Sequence, residues 1–80
     1  MVKRRMKFTF SPTTSSRPII YEILKEFAIS VNVLLADVAE STSWIVLEMK
    51  GEEEEVNRAI NWASTMGVEI SVIKGNIVEV

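Results

Sequence analysis

The spacing of apolar residues changes period four times along this chain, and that alternation limits the folds available to it. From Lys3 to Phe10 the period is two, with Met6, Phe8 and Phe10 on one side and Arg5, Lys7 and Thr9 on the other. A half-buried strand carries this pattern. "SPTTSS" (11–16) reads as a polar loop. A helix is then predicted, with Ser15 or Ser16 as N-cap and Pro18 in the first turn, where its missing N–H costs nothing. Its buried stripe is Ile19, Ile20, Ile23, Leu24 and Phe27. Tyr21, Glu22, Lys25 and Glu26 fall toward solvent.

A second strand is expected from Val31 to Glu40, followed by a turn at "STS" (41–43) and a third strand from Trp44 to Lys50 that Gly51 ends. Glu52 to Glu55 suit the positive end of a helix dipole and open a second helix. Its buried stripe is Val56, Ala59, Ile60, Ala63 and Met66, and Gly67 stands where a left-handed C′ residue is cheap. Val68, Ile70 and Val72 alternate with Glu69 and Ser71 in a fourth strand. Gly75-Asn76 signals a turn, after which "IVEV" forms a short extra strand or leads out of the domain. Trp62 borders the core, and Tyr21 is a surface residue.

The order is β-α-β-β-α-β in a single domain spanning residues 1–80. The fold class is α+β: a ferredoxin-like, ACT-like four-stranded antiparallel sheet with both helices on one face. Right-handed crossovers put strands 1 and 3 in the centre and strands 2 and 4 at the edges.

Composition narrows the chemistry. There is no cysteine and no histidine among the 80 residues, so disulfides, thiolate metal sites, a cysteine nucleophile and the commonest general base are excluded. No catalytic residue, metal site or cofactor is expected. The net charge of −2, from 9 basic and 11 acidic side chains, gives no broad drive toward nucleic acid. The basic run Lys3-Arg4-Arg5 with Lys7 is read as a solvated strand edge. Strand 1's Phe8 and Phe10 are needed for the core, so the sheet lacks the exposed aromatics of an RNA-binding face. No apolar run reaches the roughly 18 residues of a membrane span, and no signal-peptide segment is present, so a cytoplasmic protein without membrane insertion is expected.

Strand 2 breaks the one-sided pattern. Strict alternation puts Val31, Val33 and Leu35 on one side, and Leu34, Ala36 and Val38 on the other with Asn32; Trp44 and Val46 extend the second surface. An edge strand apolar on both sides must be covered. A second copy would do this, because a two-fold interface uses the same patch twice. The predicted dimer interface is Val31, Leu34, Ala36, Val38 and Trp44. Asn32 is left either as a turn residue or as a polar group meeting the partner or a small ligand.

The segment "FAISVNVLLADV" resembles the signature region of the NIL domain, with Asn32-Val33-Leu34 as its triplet and valine in the middle place. "KFTF", "RPIIYEILKEF", "WIVLEMKG" and "AINWASTMGVEISV" resemble the remaining elements, so the likeness spans nearly the whole chain. The resemblance implies the ferredoxin-like fold, homodimers, and a regulatory domain of ABC methionine importers that binds methionine near the interface. It aligns Asn32 with the motif asparagine of that site. The implied ligand site is Asn32, Val33, Leu34 and Ala36, with L-methionine or a related sulfur amino acid as ligand. The hairpin "AESTSW" is shorter than in the transporter versions and lacks their glycines. NIL domains placed ahead of 4Fe-4S ferredoxin modules are closer in texture, with a tail similar to "KGNIVEV" leading into the first cysteine motif. The alternative is therefore a ligand-free dimerisation or protein-interaction module serving a ferredoxin-type or transporter partner.

Overall fold

A computed structural model describes residues 1–15 and 17–74. Four strands and two packed helices follow in the expected order: β1 (Val2–Phe10), a helical turn α1 (Pro12–Ser15), α2 (Ile19–Glu26), β2 (Ile29–Asp37), β3 (Ser43–Gly51), α3 (Glu53–Thr65) and β4 (Glu69–Val72). The sheet order is β2-β3-β1-β4, with every neighbouring pair antiparallel. The ferredoxin-like topology expected from the sequence is the one observed, with β2 and β4 as edges. The predicted turn at Gly75-Asn76 and the "IVEV" segment lie outside the described residues, as does Ser16 as a candidate N-cap.

The core lies on one side of the sheet. Met6, Phe8 and Phe10 of β1 and Leu47 and Met49 of β3 meet Ile19 and Ile23 of α2 and Val56, Ala59 and Ala63 of α3, all buried. Ile20, Phe27, Ile60, Trp62 and Met66 pack around this cluster, half-buried. Leu24, assigned to the buried stripe of α2, is instead 48% exposed. The helix is only two turns long and rests on Ile19 and Ile23, so Leu24 swings past the rim of the sheet.

Most boundaries lie within a residue of the sequence reading, and three differences are larger. Residues 12–15 form a turn of helix because Thr14 N–H donates to the Ser11 carbonyl at 3.0 Å, while Thr14 Oγ1 accepts from Ser11 N–H at 2.9 Å. Pro18 is the N-cap of α2 and supplies no side-chain cap. Its neighbour Arg17 instead binds Glu22 in a forked pair, with Nε and one terminal nitrogen reaching the two carboxylate oxygens at 2.8 and 2.9 Å. Finally, β2 starts at Ile29 and ends at Asp37, two residues earlier and three residues earlier than the apolar run suggested. The hairpin closes there because Ser43 Oγ accepts from Ala39 N–H at 3.0 Å and donates to the Ala39 carbonyl at 3.1 Å.

At the start of α3, Glu52 is the N-cap and Glu53, Glu54 and Glu55 occupy the first turn, as the dipole argument requires. Gly67 follows the helix with φ +94°, a conformation side-chain-bearing residues rarely adopt.

Candidate functional site at the β2 edge and the open sheet face

Register decides which of the predicted site residues stand together. Val31, Asn32 and Val33 pair with Met49, Glu48 and Leu47, but Leu35, Ala36 and Asp37 pair with Val46, Ile45 and Trp44. Leu34 is the extra residue of a β-bulge between Val33 and Leu35. A bulge sets two residues against one and turns over everything downstream relative to strict alternation. The expected face assignment is therefore corrected. Leu35, opposite Val46, shares the open face with Asn32, while Ala36, opposite Ile45, shares the helix-covered face with Val31 and Val33. Asn32 and Ala36 do not line one surface of a single protomer.

The open face is organised in cross-strand rows. Arg5, Glu48 and Asn32 form one; Lys7, Val46 and Leu35 form the next; Thr9, Trp44 and Asp37 form the third. Arg5 Nε donates to Glu48 Oε2 at 3.2 Å. Asn32 is exposed, and among the described residues its amide makes no hydrogen bond. Val46 is only 5% exposed although no helix among the described residues covers this side. Half-buried Leu35, Trp44 and Lys7 surround it, and the Lys7 ammonium stands 5.0 Å from the Trp44 ring centre. A small apolar strip thus lies beside a polar row. Trp44 sits on this strip one strand inward from the edge, not on the edge itself.

Among the described residues nothing pairs with the outer edge of β2. Ile73 N–H donates to the Arg5 carbonyl at 2.9 Å, continuing the β1–β4 register, so Arg5, Lys7 and Thr9 aim their backbone groups at β4. Alternation across the antiparallel ladders then aims Met6 and Phe8 at β3, Val46 and Glu48 at β2, and Val31, Val33 and Ala36 outward. Val33 is 52% and Val38 81% exposed. Tyr21 and Leu24 on α2 are exposed as well. On the helix side, Val38 closes a cleft of about 370 Å³ with Phe10, Pro18, Ile20, Tyr21 and Ile45. Sequence reasoning placed Asn32 and the apolar edge but missed Glu48 and Leu35 as their neighbours. Glu48 was visible as a polar residue alternating with Leu47 and Met49; the bulge that brings Leu35 beside it was not.

Among the described residues there is no cluster of three or more metal-binding side chains and no helix long and apolar enough to cross a membrane.

The fold and the site define a ferredoxin-like domain that has, among the described residues, one long unpaired edge and a polar row beside it. The NIL domain family model matches residues 4–79, and the chain belongs to that family. Among its relatives, the methionine import ATP-binding protein MetN of Halalkalibacterium halodurans is 25% identical over 76 residues, covering 90% of this chain and 22% of the relative. The L-aspartate semialdehyde sulfurtransferase iron-sulfur subunit of Methanocaldococcus jannaschii is 23% identical over 66 residues, covering 82% of this chain and 50% of the relative. The chain thus spans from about a fifth to half the length of these relatives. The C-terminal domain of an ABC transporter ATP-binding protein from Enterococcus faecalis has the same fold, with a TM-score of 0.78 at 21% identity over 91% of this chain and 86% of that one. A de novo designed protein, Foldit4, shares the fold at a TM-score of 0.57 and 12% identity, covering 92% of this chain and 97% of the design.

Proposed function

We propose that this domain is a regulatory module of the cytoplasm that binds L-methionine or a related sulfur amino acid at a homodimer interface built along β2. The carrying observation is that the family match includes the Asn32-Val33-Leu34 triplet, and that this triplet lies on β2, a nine-residue edge strand with no neighbour on its outer side among the described residues. Relatives named as methionine import ATP-binding proteins point to the ligand class and to transport as the process controlled. An exposed amide with no partner among the described residues is suited to an amino acid's polar groups. Apolar neighbours are suited to a thioether side chain. Two or three hydrogen bonds and one buried side chain support micromolar to millimolar affinity, roughly 4–8 kcal/mol.

In this reading Asn32 and Leu34 touch the ligand. Val33 and Ala36, with Val31, contribute outward backbone groups to the join between copies, and Val38 and Trp44 flank it. No catalytic role is assigned, since the chain has neither histidine nor cysteine.

The relation to an iron-sulfur subunit favours a second reading: a ligand-free interaction module whose edge strand docks on a ferredoxin-type or transporter partner. Isothermal calorimetry with L-methionine, homocysteine and cysteine separates the two. Saturable heat with one of them supports the sensor; silence from all three at millimolar concentration leaves the interaction module.

A further inference from the structure

Resting on the sensor reading, we propose that Glu48 is the residue that recognises the α-ammonium of the bound amino acid, with Asn32 beside it taking the α-carboxylate and Leu35 and Trp44, packed over the buried Val46, taking the side chain. Asn32 and Glu48 are directly opposed on adjacent strands and share the open face. Opposed residues of this kind stand about 5.5 Å apart at Cα. A carboxylate and an amide side by side at that spacing present an acceptor and a donor to the two charged ends of one amino acid.

The arrangement is held in place. Arg5 Nε donates to Glu48 Oε2 at 3.2 Å, and the other oxygen of Glu48 makes no hydrogen bond among the described residues. Glu48 itself is largely covered, its side chain 20% exposed. Arg5 neutralises much of the Glu48 charge, and the remaining carboxylate oxygen is left as an acceptor for an ammonium N–H.

The next row along the strands is apolar. It lies two residues away, about 6.6 Å, which is about the reach of an unbranched side chain of four heavy atoms. Val46 is already buried there under Leu35, Trp44 and the Lys7 stem, so the strip is formed before any ligand arrives. An amino acid with a free amino group and a slender apolar side chain fits both rows at once. An N-blocked one fits only the second.

The test measures binding of L-methionine and of N-acetyl-L-methionine to the 80-residue chain by calorimetry, and then repeats the L-methionine titration on Glu48→Gln. The expected result is about 10- to 100-fold weaker binding for the acetylated compound. A similar loss is expected for Glu48→Gln with L-methionine, and no further loss for that variant with the acetylated compound. Equal affinity for the two compounds, which depends on no variant, overturns the assignment of Glu48 while leaving the sensor reading intact. So does unchanged L-methionine affinity in Glu48→Gln. If the unaltered chain binds neither compound at millimolar concentration, the sensor reading itself falls and this inference falls with it.

Discussion

The backbone N–H of Ala28 donates to the Glu55 carboxylate at 2.9 Å, joining the link between α2 and β2 to the first turn of α3. Arg58, one turn along, also binds Glu55. The Ala28 bond above all holds the Glu55 carboxyl below its ordinary value of 4.5; partial burial acts against it and Arg58 assists. Glu22 is lowered in the same sense by the forked bond from Arg17. A group whose folded pKa is depressed contributes stability that is present above its unfolded pKa and lost as pH falls through the folded one. Thermal melts from pH 7 to pH 3 are expected to show a falling Tm once the pH drops below about 4.5. Glu55→Gln should begin a few degrees lower at neutral pH and fall less steeply on acidification. Parallel curves for the two proteins would show that the Ala28 bond contributes nothing to the pH dependence.

Gly67 follows α3 with φ +94°, and a methyl group added there would stand 3.3 Å from Thr14 Cγ2. Both backbone strain and crowding oppose a side chain at this position. Gly67→Ala is expected to lower unfolding free energy by about 1 kcal/mol, measured as a shift of the urea midpoint at constant slope. An unchanged midpoint would mean the turn relaxes out of the left-handed region at no cost.

The elements were legible because their apolar periods are clean: β1 and β3 alternate, and α3 carries Val56, Ala59 and Ala63 on one stripe. The glutamate run and Gly67 marked the two ends of α3 for independent reasons, dipole and backbone freedom. What the sequence hid came from interactions between elements distant along the chain. Ser15 and Ser16 looked like helix caps, yet Arg17 and Glu22 secure the start of α2 through a side-chain pair five residues apart. Leu24 fits the helical stripe, but whether a stripe residue is buried depends on how far the helix overlaps the sheet. The bulge at Leu34 has no residue signature, because Leu34 and Leu35 are chemically alike and only the pairing with β3 says which is the extra one. That one residue determined whether Leu35 or Ala36 stood beside Asn32, so part of the site lay beyond reading by alternation.

Phe8 lies at the middle of the sheet, between Ile45 on β3 and Ile70 on β4, with none of its surface exposed. Its ring centre stands 6.3 Å from that of Phe10. Truncation to alanine removes the largest fully buried side chain and leaves a cavity beneath two helices. Phe8→Ala is expected to cost about 3–5 kcal/mol, a large part of the stability of a domain of this size. Denaturant titration should find it unfolded or close to unfolding at 37 °C. A loss below about 1 kcal/mol would mean the core refills the space, contrary to the packing described.

Val33 tests the free edge without touching the core. It is 52% exposed, so Val33→Lys should alter the stability of the isolated domain by no more than about 0.5 kcal/mol. In an antiparallel join of β2 to its own copy, the two-fold axis sets nearby residues of one strand against the same residues of the other. A lysine there would approach its own counterpart, and like charges facing each other across strands destabilise the pairing. Charged edge residues are a common means of preventing such contacts. Sedimentation equilibrium should find the original chain self-associating at high micromolar concentration, and Val33→Lys at least about tenfold weaker, equivalent to about 1.4 kcal/mol. Equal association of the two proteins would move the interface elsewhere, and a monomeric original chain at that concentration would remove the paired edge from the proposed sensor.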